Sequence, residues 1–144
     1  FVGEAKEPLR LGRTAFDMFF NRIPKVTPAI NIEPDSTVVF AGPVWMGKVA
    51  SPLRSSLKAV KKSGNEYCFI SISGGADGTN PNLSSELTKR MGKEPKIVID
   101  MHIAALLPQE PKPTREDTSS YRLTEKDVKK LSAQISGKLR EVIK

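Results

Sequence analysis

Three short apolar runs place the strongest constraint on the fold of this chain. They are rich in β-branched residues and show little polar alternation: Thr37–Ala41 (TVVFA), Tyr67–Ile72 (YCFISI) and Ile97–Ile103 (IVIDMHI). Such runs are typical of strands that are covered on both faces, as they are in a parallel sheet. The sequence therefore predicts three strands in the interior of an α/β domain.

Helical patterns separate the three runs. The first covers residues 51–63, with Ser51 as its N-cap, and ends at Gly64; the second opens at Asn80-Pro81 and ends at Gly92. Their apolar positions recur at helical spacing: Leu53, Leu57 and Val60, then Leu83, Leu87 and Met91. The order strand, helix, strand, helix, strand predicts βαβ units in a parallel sheet.

The remaining segments flank this βαβαβ core, which spans residues 37–107. A helical pattern covers Pro8–Ile23, and a Pro-rich connector follows it to residue 36. Residues 108–123 are Pro-rich and polar, which predicts a loop. Residues 124–144 form a final helix whose apolar stripe is Val128, Leu131, Ile135, Leu139 and Val142. A length of 144 residues indicates one domain for the whole chain.

The amino-acid composition indicates which classes of binding partner the chain favours. The net charge of +7 favours acidic partners or anionic small molecules. Nucleic acid is disfavoured, because the basic residues are dispersed and the aromatic residues, only 6% of the chain, are not interleaved with them. No apolar run approaches the roughly 20 residues that a membrane span requires. The single cysteine, Cys68, predicts a small buried hydrophobe and is compatible with a cytoplasmic location.

Two glycine-rich loops follow predicted strands, namely Gly42–Ala50 (GPVWMGKVA) and Ser73–Asn80 (SGGADGTN). Ligands of open α/β sheets bind outside the carboxyl ends of the strands, where both loops would lie. Trp45, the only tryptophan, stands in the first loop, and with Met46 it would present a flat apolar wall. Glycine would let the backbone approach a planar ligand closely.

These segments resemble the flavodoxin-like family of FMN-binding proteins, in its flavodoxin and NAD(P)H-quinone reductase-like branch. The resemblance rests on VVFAGPVWMGKVASPLRSSLKAV, followed by a strand and SISGGADG, and covers residues 8–107. In that family a Gly-(Ser/Pro/Thr)-Pro-x-(Trp/Tyr)-x-Gly loop holds the isoalloxazine ring, and a second glycine-rich loop brackets it. The resemblance implies a flavodoxin-like parallel sheet with helices on both faces, and FMN as cofactor.

The same resemblance implies electron transfer to a redox partner, or flavin-dependent reduction of a small acceptor such as a quinone, including activity as an FMN-dependent oxidoreductase. Trp45 would lie against the flavin ring, and backbone N–H groups near Gly47 would bond its polar edge. The cofactor-binding residues that it implies are Pro43, Val44, Trp45, Met46, Gly47, Ser73, Gly74, Gly75 and Ala76.

The phosphate-binding part of the family pattern does not occur in this sequence. The family begins with a strand and a Ser/Thr-x-Thr-Gly-Asn-Thr type loop at a helix N-terminus, whereas this sequence starts at Phe1, after that point. One interpretation is an N-terminally incomplete flavodoxin-like chain. The other is a degenerate module without flavin, which uses the exposed edge of Thr37–Ala41 for assembly with a second copy or a complementing chain.

Several of these residues also have a purely structural interpretation. Trp45 would then pack beneath its loop, and Gly74, Gly75 and Gly78 would only form a tight turn. His102, inside an apolar run, is more typical of a satisfied strand-end residue than of a catalyst.

The sequence shows neither a metal site nor a nucleophile–base pair. Asp77 and Asp100 have no partner spacing for a metal, and one histidine with one cysteine does not make a usual zinc site. Ser73 precedes Gly-Gly but lacks the Gly-x-Ser-x-Gly elbow. The lysine-rich helix faces are expected to be solvated, with docking of an acidic partner as the alternative.

Overall fold

The computed structural model describes residues 4–5, 26–27 and 32–143. Their regular elements are, in order, β1 (Glu4–Ala5), β2 (Val26–Thr27), β3 (Thr37–Ala41), β4 (Val44–Trp45), β5 (Lys48–Val49), α1 (Arg54–Ser63), β6 (Glu66–Ser73), α2 (Leu83–Met91), β7 (Ile97–His102), α3 (Arg115–Ser120) and α4 (Glu125–Val142). Single 3-10 turns, Ser51–Leu53 and Ile103–Leu106, precede α1 and follow β7.

The three predicted strands form one parallel sheet in the order β3-β6-β7. The register pairs Ala41 with Ile70 across β3 and β6, and Ser73 with His102 across β6 and β7. All three strands therefore end at the same edge. The prediction of a parallel α/β core is confirmed, and the strands lie within one residue of their predicted limits.

One face of the sheet packs against α1 and α2. Phe69 of β6 and Phe40 of β3 lie in this core, and the Phe40 ring meets the Tyr67 ring edge-on at a centroid distance of 6.3 Å. The helices contribute residues at the predicted helical spacing: Leu57 and Val60 from α1, with Leu83, Leu87 and Met91 from α2. Burial of this apolar face against the sheet holds both helices in place.

The opposite face packs against α4. Ile99 and Met101 of β7 contact a stripe of α4 residues that consists of Leu131, Ile135 and Leu139. Val128 was predicted in this stripe but is 50% exposed, because it stands one turn before the helix reaches the sheet. The architecture is therefore a sheet with helices on both faces, consistent with the flavodoxin-like fold that the resemblance implied.

Cys68 of the central strand is fully buried, and burial raises the pKa of its thiol. The interpretation of this residue as a small buried hydrophobe is confirmed.

The ends of α1 and α2 differ slightly from prediction. Ser51 was predicted as the N-cap of one continuous helix, but a 3-10 turn comes first and Ala50 precedes it. Pro52 explains this start, since proline fits the first turn of a helix and not its interior. The second helix begins at Leu83 instead of at Asn80-Pro81, and both helices end at the predicted glycines, Gly64 and Gly92.

The segment 108–123, predicted as a loop, contains helix α3. Thr114 caps α3, and its side chain and that of Asp117 satisfy each other's backbone N–H groups in a capping box. Thr124 and Asp127 form the same arrangement at the start of α4. The prolines of this segment predicted a loop. Helix α3 has only six residues, and its main sequence signal is the capping pair, so the apolar pattern did not predict it.

The start of the chain is described only in part. The predicted helix at Pro8–Ile23 lies outside the described residues, as does most of the connector up to residue 31. Within that connector Val26–Thr27 pairs antiparallel with Glu4–Ala5. The Asn65 side chain, which is buried, donates to the carbonyls of Glu33 and Ser36 at 2.9 Å each, and so anchors the turn that leads into β3.

Tyr67 makes the stability of the fold depend on pH in the alkaline range. Its fully buried hydroxyl donates to the Lys93 carbonyl at 3.0 Å. Burial, and then the negative charges of Glu86, Glu66 and Glu94, raise its pKa from 10.0 to about 12. Because the folded pKa exceeds the unfolded one, the stability that the neutral phenol contributes is complete below pH 10 and is lost as pH rises through 12.

We therefore expect the free energy of unfolding to fall between pH 10 and 12 by more in the wild type than in Tyr67→Phe. Urea unfolding at a series of alkaline pH values measures this difference. Equal pH dependence in the two proteins would show that the phenol titrates normally.

Candidate functional site

The carboxyl ends of β3, β6 and β7 bring the two predicted loops to one edge. The chain leaves β3 at Gly42, whose N–H donates to the Ile70 carbonyl at 3.0 Å. It leaves β6 at Gly74, whose carbonyl accepts from the Ala104 N–H at 2.9 Å. A backbone hydrogen bond thus holds the first exit to β6 and the second to the 3-10 turn after β7, so both loops start from fixed positions.

The first loop is a small hairpin, where the sequence predicted an irregular loop. Val44 pairs with Val49 and Trp45 with Lys48. The two turn residues, Met46 and Gly47, have φ values of 50° and 71°, the left-handed conformation that two-residue hairpin turns require. Glycine adopts this conformation without steric cost. Met46 adopts it at a position where its side chain is exposed to solvent.

The hairpin separates its side chains onto two faces. Val44 and Val49 are buried in the core beneath α1 and α2, while Trp45 is half-buried on the other face and Met46 is 76% exposed. The Trp45 side chain is neither fully buried nor exposed, so both interpretations of this residue stay open. The Val44 side chain, one of the implied flavin contacts, faces the core, so only its backbone faces outward.

The second loop, Ser73–Ala76, lies against β7 and α3. Gly75 has a φ of 74°, and a Cβ atom on it would stand 2.5 Å from the Cβ atom of His102. A Cβ atom on Gly74 would stand 3.0 Å from the hydroxyl of Thr118, a buried residue of α3. The glycines thus form a turn that packs closely on β7 and α3, and their contact with a ligand stays a prediction.

A polar network lies directly beneath this loop. The Ser71 hydroxyl donates to Asp100 Oδ1 at 2.5 Å, and Asn80 Nδ2 donates to Asp100 Oδ2 at 3.0 Å. His102 Nε2 is 3.1 Å from the same Oδ2, and its Nδ1 is 3.0 Å from the Ser73 hydroxyl. The sequence predicted no nucleophile–base pair, but the folded chain brings the Ser73 hydroxyl and the His102 imidazole into hydrogen-bond contact.

The register of the two strands explains the network. Ser71 pairs with Asp100 and Ser73 with His102, so all four side chains project from one face of the sheet at its carboxyl end. The sequence signal was present as two alternating patterns, Ser-x-Ser at the end of one run and Asp-x-His at the end of another. Their juxtaposition depends on pairing between strands, which neither pattern contains.

A basic cleft lies between the hairpin, α1 and α2. Its volume is about 870 Å³, and its charged lining consists of Lys48, Arg54, Lys58, Lys61, Lys62, Lys89 and Arg90, with Glu86 as the acidic member. Glu86 pairs with Arg90 on α2. This arrangement gives the outer face of α1 and α2 a positive potential, which attracts anionic molecules or acidic surfaces.

In 32–143 and the two short strands before them, no group of three or more acidic, histidine or cysteine residues is arranged to hold a metal ion. Across the same part of the chain, none of the helices combines the length and apolarity of a membrane span.

Comparison with known proteins gives one similar structure. No protein-family model matches the chain, and no curated protein matches it. The chain is similar to a flavoprotein from Lactobacillus acidophilus NCFM, crystallised in complex with FMN, at 23% sequence identity and a TM-score of 0.48. The match covers 60% of this chain and 59% of that chain, so it spans less than two thirds of the flavoprotein.

Proposed function

We propose that this protein binds FMN at the carboxyl edge of its sheet and acts in electron transfer or flavin-dependent reduction. The observation that carries the proposal is the position of Trp45. It stands on the outer face of a hairpin that leaves β3 at the edge where ligands of parallel sheets bind. The GPVWMG and SISGGADG motifs, which resemble the ring-binding loops of the flavodoxin-like family, direct the proposal to a flavin.

The residues at this edge fit a planar ring. Trp45 and the exposed Met46 offer a flat apolar wall, and Pro43 and Gly47 leave the hairpin backbone open to solvent. The backbone of residues 73–76 lies close to His102 because Gly75 has no side chain. Of the nine implied contacts, Val44 takes part through its backbone alone.

A bound flavin would supply the redox chemistry, and the protein would orient and shield it. For the electron acceptor we propose either a small molecule such as a quinone or an acidic redox partner. The basic cleft supports the second choice, because its lysines lie on the outer face of the two helices next to the hairpin.

Titration with FMN tests the proposal directly. Trp45 is the only tryptophan of the chain, so all indole emission reports on the proposed site. FMN should quench this emission and lose its own fluorescence in a saturable manner with one midpoint. Riboflavin as a second ligand separates ring contacts from phosphate contacts. If folded protein leaves both fluorescence signals unchanged across the titration, the proposal is wrong.

Substitution of Trp45 provides the matched test of the ring contact. We expect Trp45→Ala to weaken FMN binding about two- to tenfold, because an aromatic stacking pair contributes about 0.5–1.5 kcal/mol. Trp45→Phe keeps a flat ring and should remain within about threefold of the wild type. Flavin fluorescence measures the affinity of the wild type and both variants. Leu123→Ala, at an exposed residue just before the cap of α4, serves as the control. Equal affinities in all of them would remove Trp45 from the site.

The degenerate, flavin-free module remains the second candidate function. In the described part of the chain β3 pairs on one side alone, with β6, and its Val39 is 41% exposed. A bare edge of this kind suits the addition of a strand from a second copy. Light scattering distinguishes the candidates: a dimer that Val39→Lys converts to a monomer, without flavin binding, favours assembly, whereas a monomer that binds FMN excludes it.

A further inference from the structure

We propose that Ser73, His102 and Asp100 form a nucleophile, a general base and an orienting carboxylate that act on small acyl esters. The nucleophile and the base are in contact, with the Ser73 hydroxyl 3.0 Å from His102 Nδ1. The base and the carboxylate are also in contact, with His102 Nε2 3.1 Å from Asp100 Oδ2. This series of contacts is the recognition criterion for nucleophilic catalysis, independent of sequence order.

The contacts define the tautomer of the imidazole. A carboxylate accepts hydrogen bonds and donates none, so Nε2 carries the proton that faces Asp100. Nδ1 then presents its lone pair to the Ser73 hydroxyl and can accept that proton. The roles of the two ring nitrogens are exchanged relative to the usual triad, but either nitrogen can carry the lone pair, and the contacts serve the same purpose.

Asp100 is held for this task by two further donors. The Ser71 hydroxyl, itself 2% exposed, and the Asn80 amide bond its two oxygens at 2.5 Å and 3.0 Å. The side chains of His102 and Asp100 are 13% and 17% exposed, so solvent competes little for their contact. A carboxylate fixed in this way stabilises the imidazolium that forms when His102 takes up a proton.

The loop after Ser73 completes the site. Gly74 follows the nucleophile at once, and its backbone N–H is the natural donor to the oxygen of an attacked carbonyl. Gly75 has no side chain between the loop and the imidazole, where a Cβ atom would overlap His102. The loop therefore lies close to the imidazole, so we take the smallest acyl esters as the substrate class.

The chemistry balances without any cofactor. Ser73 Oγ attacks the ester carbonyl and forms an Oγ–C bond, while its proton passes to His102 Nδ1. The ester C–O bond breaks, and the same proton passes to the departing alcohol. Water then attacks the acyl-serine with His102 again as base, which releases the acid and restores Ser73. This chemistry needs no flavin, although Ser73, Gly74 and Gly75 also border the proposed flavin site.

The test is acetylation by p-nitrophenyl acetate on the full chain without flavin. We expect a burst of p-nitrophenol and an acetyl group on Ser73, located by peptide mass spectrometry, and labelling of the same serine by a fluorophosphonate probe. Ser73→Ala should abolish both. His102→Gln should slow acetylation about 10²–10⁴-fold, the usual contribution of a general base. Ser84→Ala, at an exposed serine of α2, should react as the wild type does.

Circular dichroism and thermal unfolding verify that each variant is folded. If His102→Gln does not fold, His102→Asn takes its place. The probe experiment also separates catalysis from a purely structural network. Absence of label at Ser73 in folded wild type, label spread equally over Ser73 and Ser84, or a rate that both His102 variants leave unchanged would each overturn the proposal.

Discussion

Phe69→Ala should lower the free energy of unfolding by about 3–5 kcal/mol, the usual cost of removing a buried aromatic ring. Phe69 is fully buried in the central strand, paired with Phe40 on one side and Val98 on the other. It packs in the core that α1 and α2 cover. The loss has two parts: the transfer free energy of the ring, and the cavity that rigid strands on both sides cannot close.

Urea unfolding of Phe69→Ala and of Val39→Ala measures the effect against a matched position. Val39 is also a strand residue but is 41% exposed, so its truncation should cost less than about 1 kcal/mol. A cost for Phe69→Ala as small as that for Val39→Ala would contradict the assignment of this face as the main core.

This core also holds the proposed flavin site in place. Val44 and Val49 of the hairpin belong to it, and Trp45 takes its position from them. We therefore expect the emission of Trp45 in Phe69→Ala to shift toward that of solvent-exposed indole before the protein unfolds. The stability of the core and the geometry of the site thus depend on the same contacts.

The strands and the two central helices could be predicted from sequence because their signal is local and repeated. Leu83, Leu87 and Met91 recur every four residues and all face the sheet. The apolar runs of β6 and β7 carry the same kind of signal, since both faces of the sheet are covered there. The run of β3 carries it too, although its Val39 is exposed on one face. Each pattern is complete within one segment, so it needs no knowledge of the partner.

The hairpin and α3 were missed because their signals are short. Two-residue strands around Met46 and Gly47 have no periodicity to detect, and Met in a left-handed turn is atypical. Helix α3 has six residues, and its evident signal is the capping pair Thr114 and Asp117. Prolines on the preceding segment favoured the interpretation of a loop.

The polar network was missed for a different reason. Ser73 and His102 are 29 residues apart, and only the register of β6 with β7 brings them into contact. A sequence pattern places each residue on a face of its own strand. It does not determine which residue of the neighbouring strand lies beside it, so a site made of register partners becomes visible only in the folded chain.

Gly75→Ala, the second large effect, should destabilise the protein by about 2–4 kcal/mol and disrupt the network at the same time. Gly75 has a φ of 74°, where an L side chain costs about 1–2 kcal/mol. The new methyl group would also stand 2.5 Å from the His102 Cβ atom, which cannot move without its strand. The loop must therefore shift away from His102.

Gly78→Ala separates these two causes. Gly78 lies in the same loop with a φ of 109°, but no atom stands within 4 Å of its Cβ position. Its substitution therefore carries only the backbone cost. His102 is the only histidine of the chain, so its imidazole NMR signals need no assignment. We expect them to move in Gly75→Ala and to stay in Gly78→Ala; equal shifts and equal stabilities would show that the loop does not rest on His102.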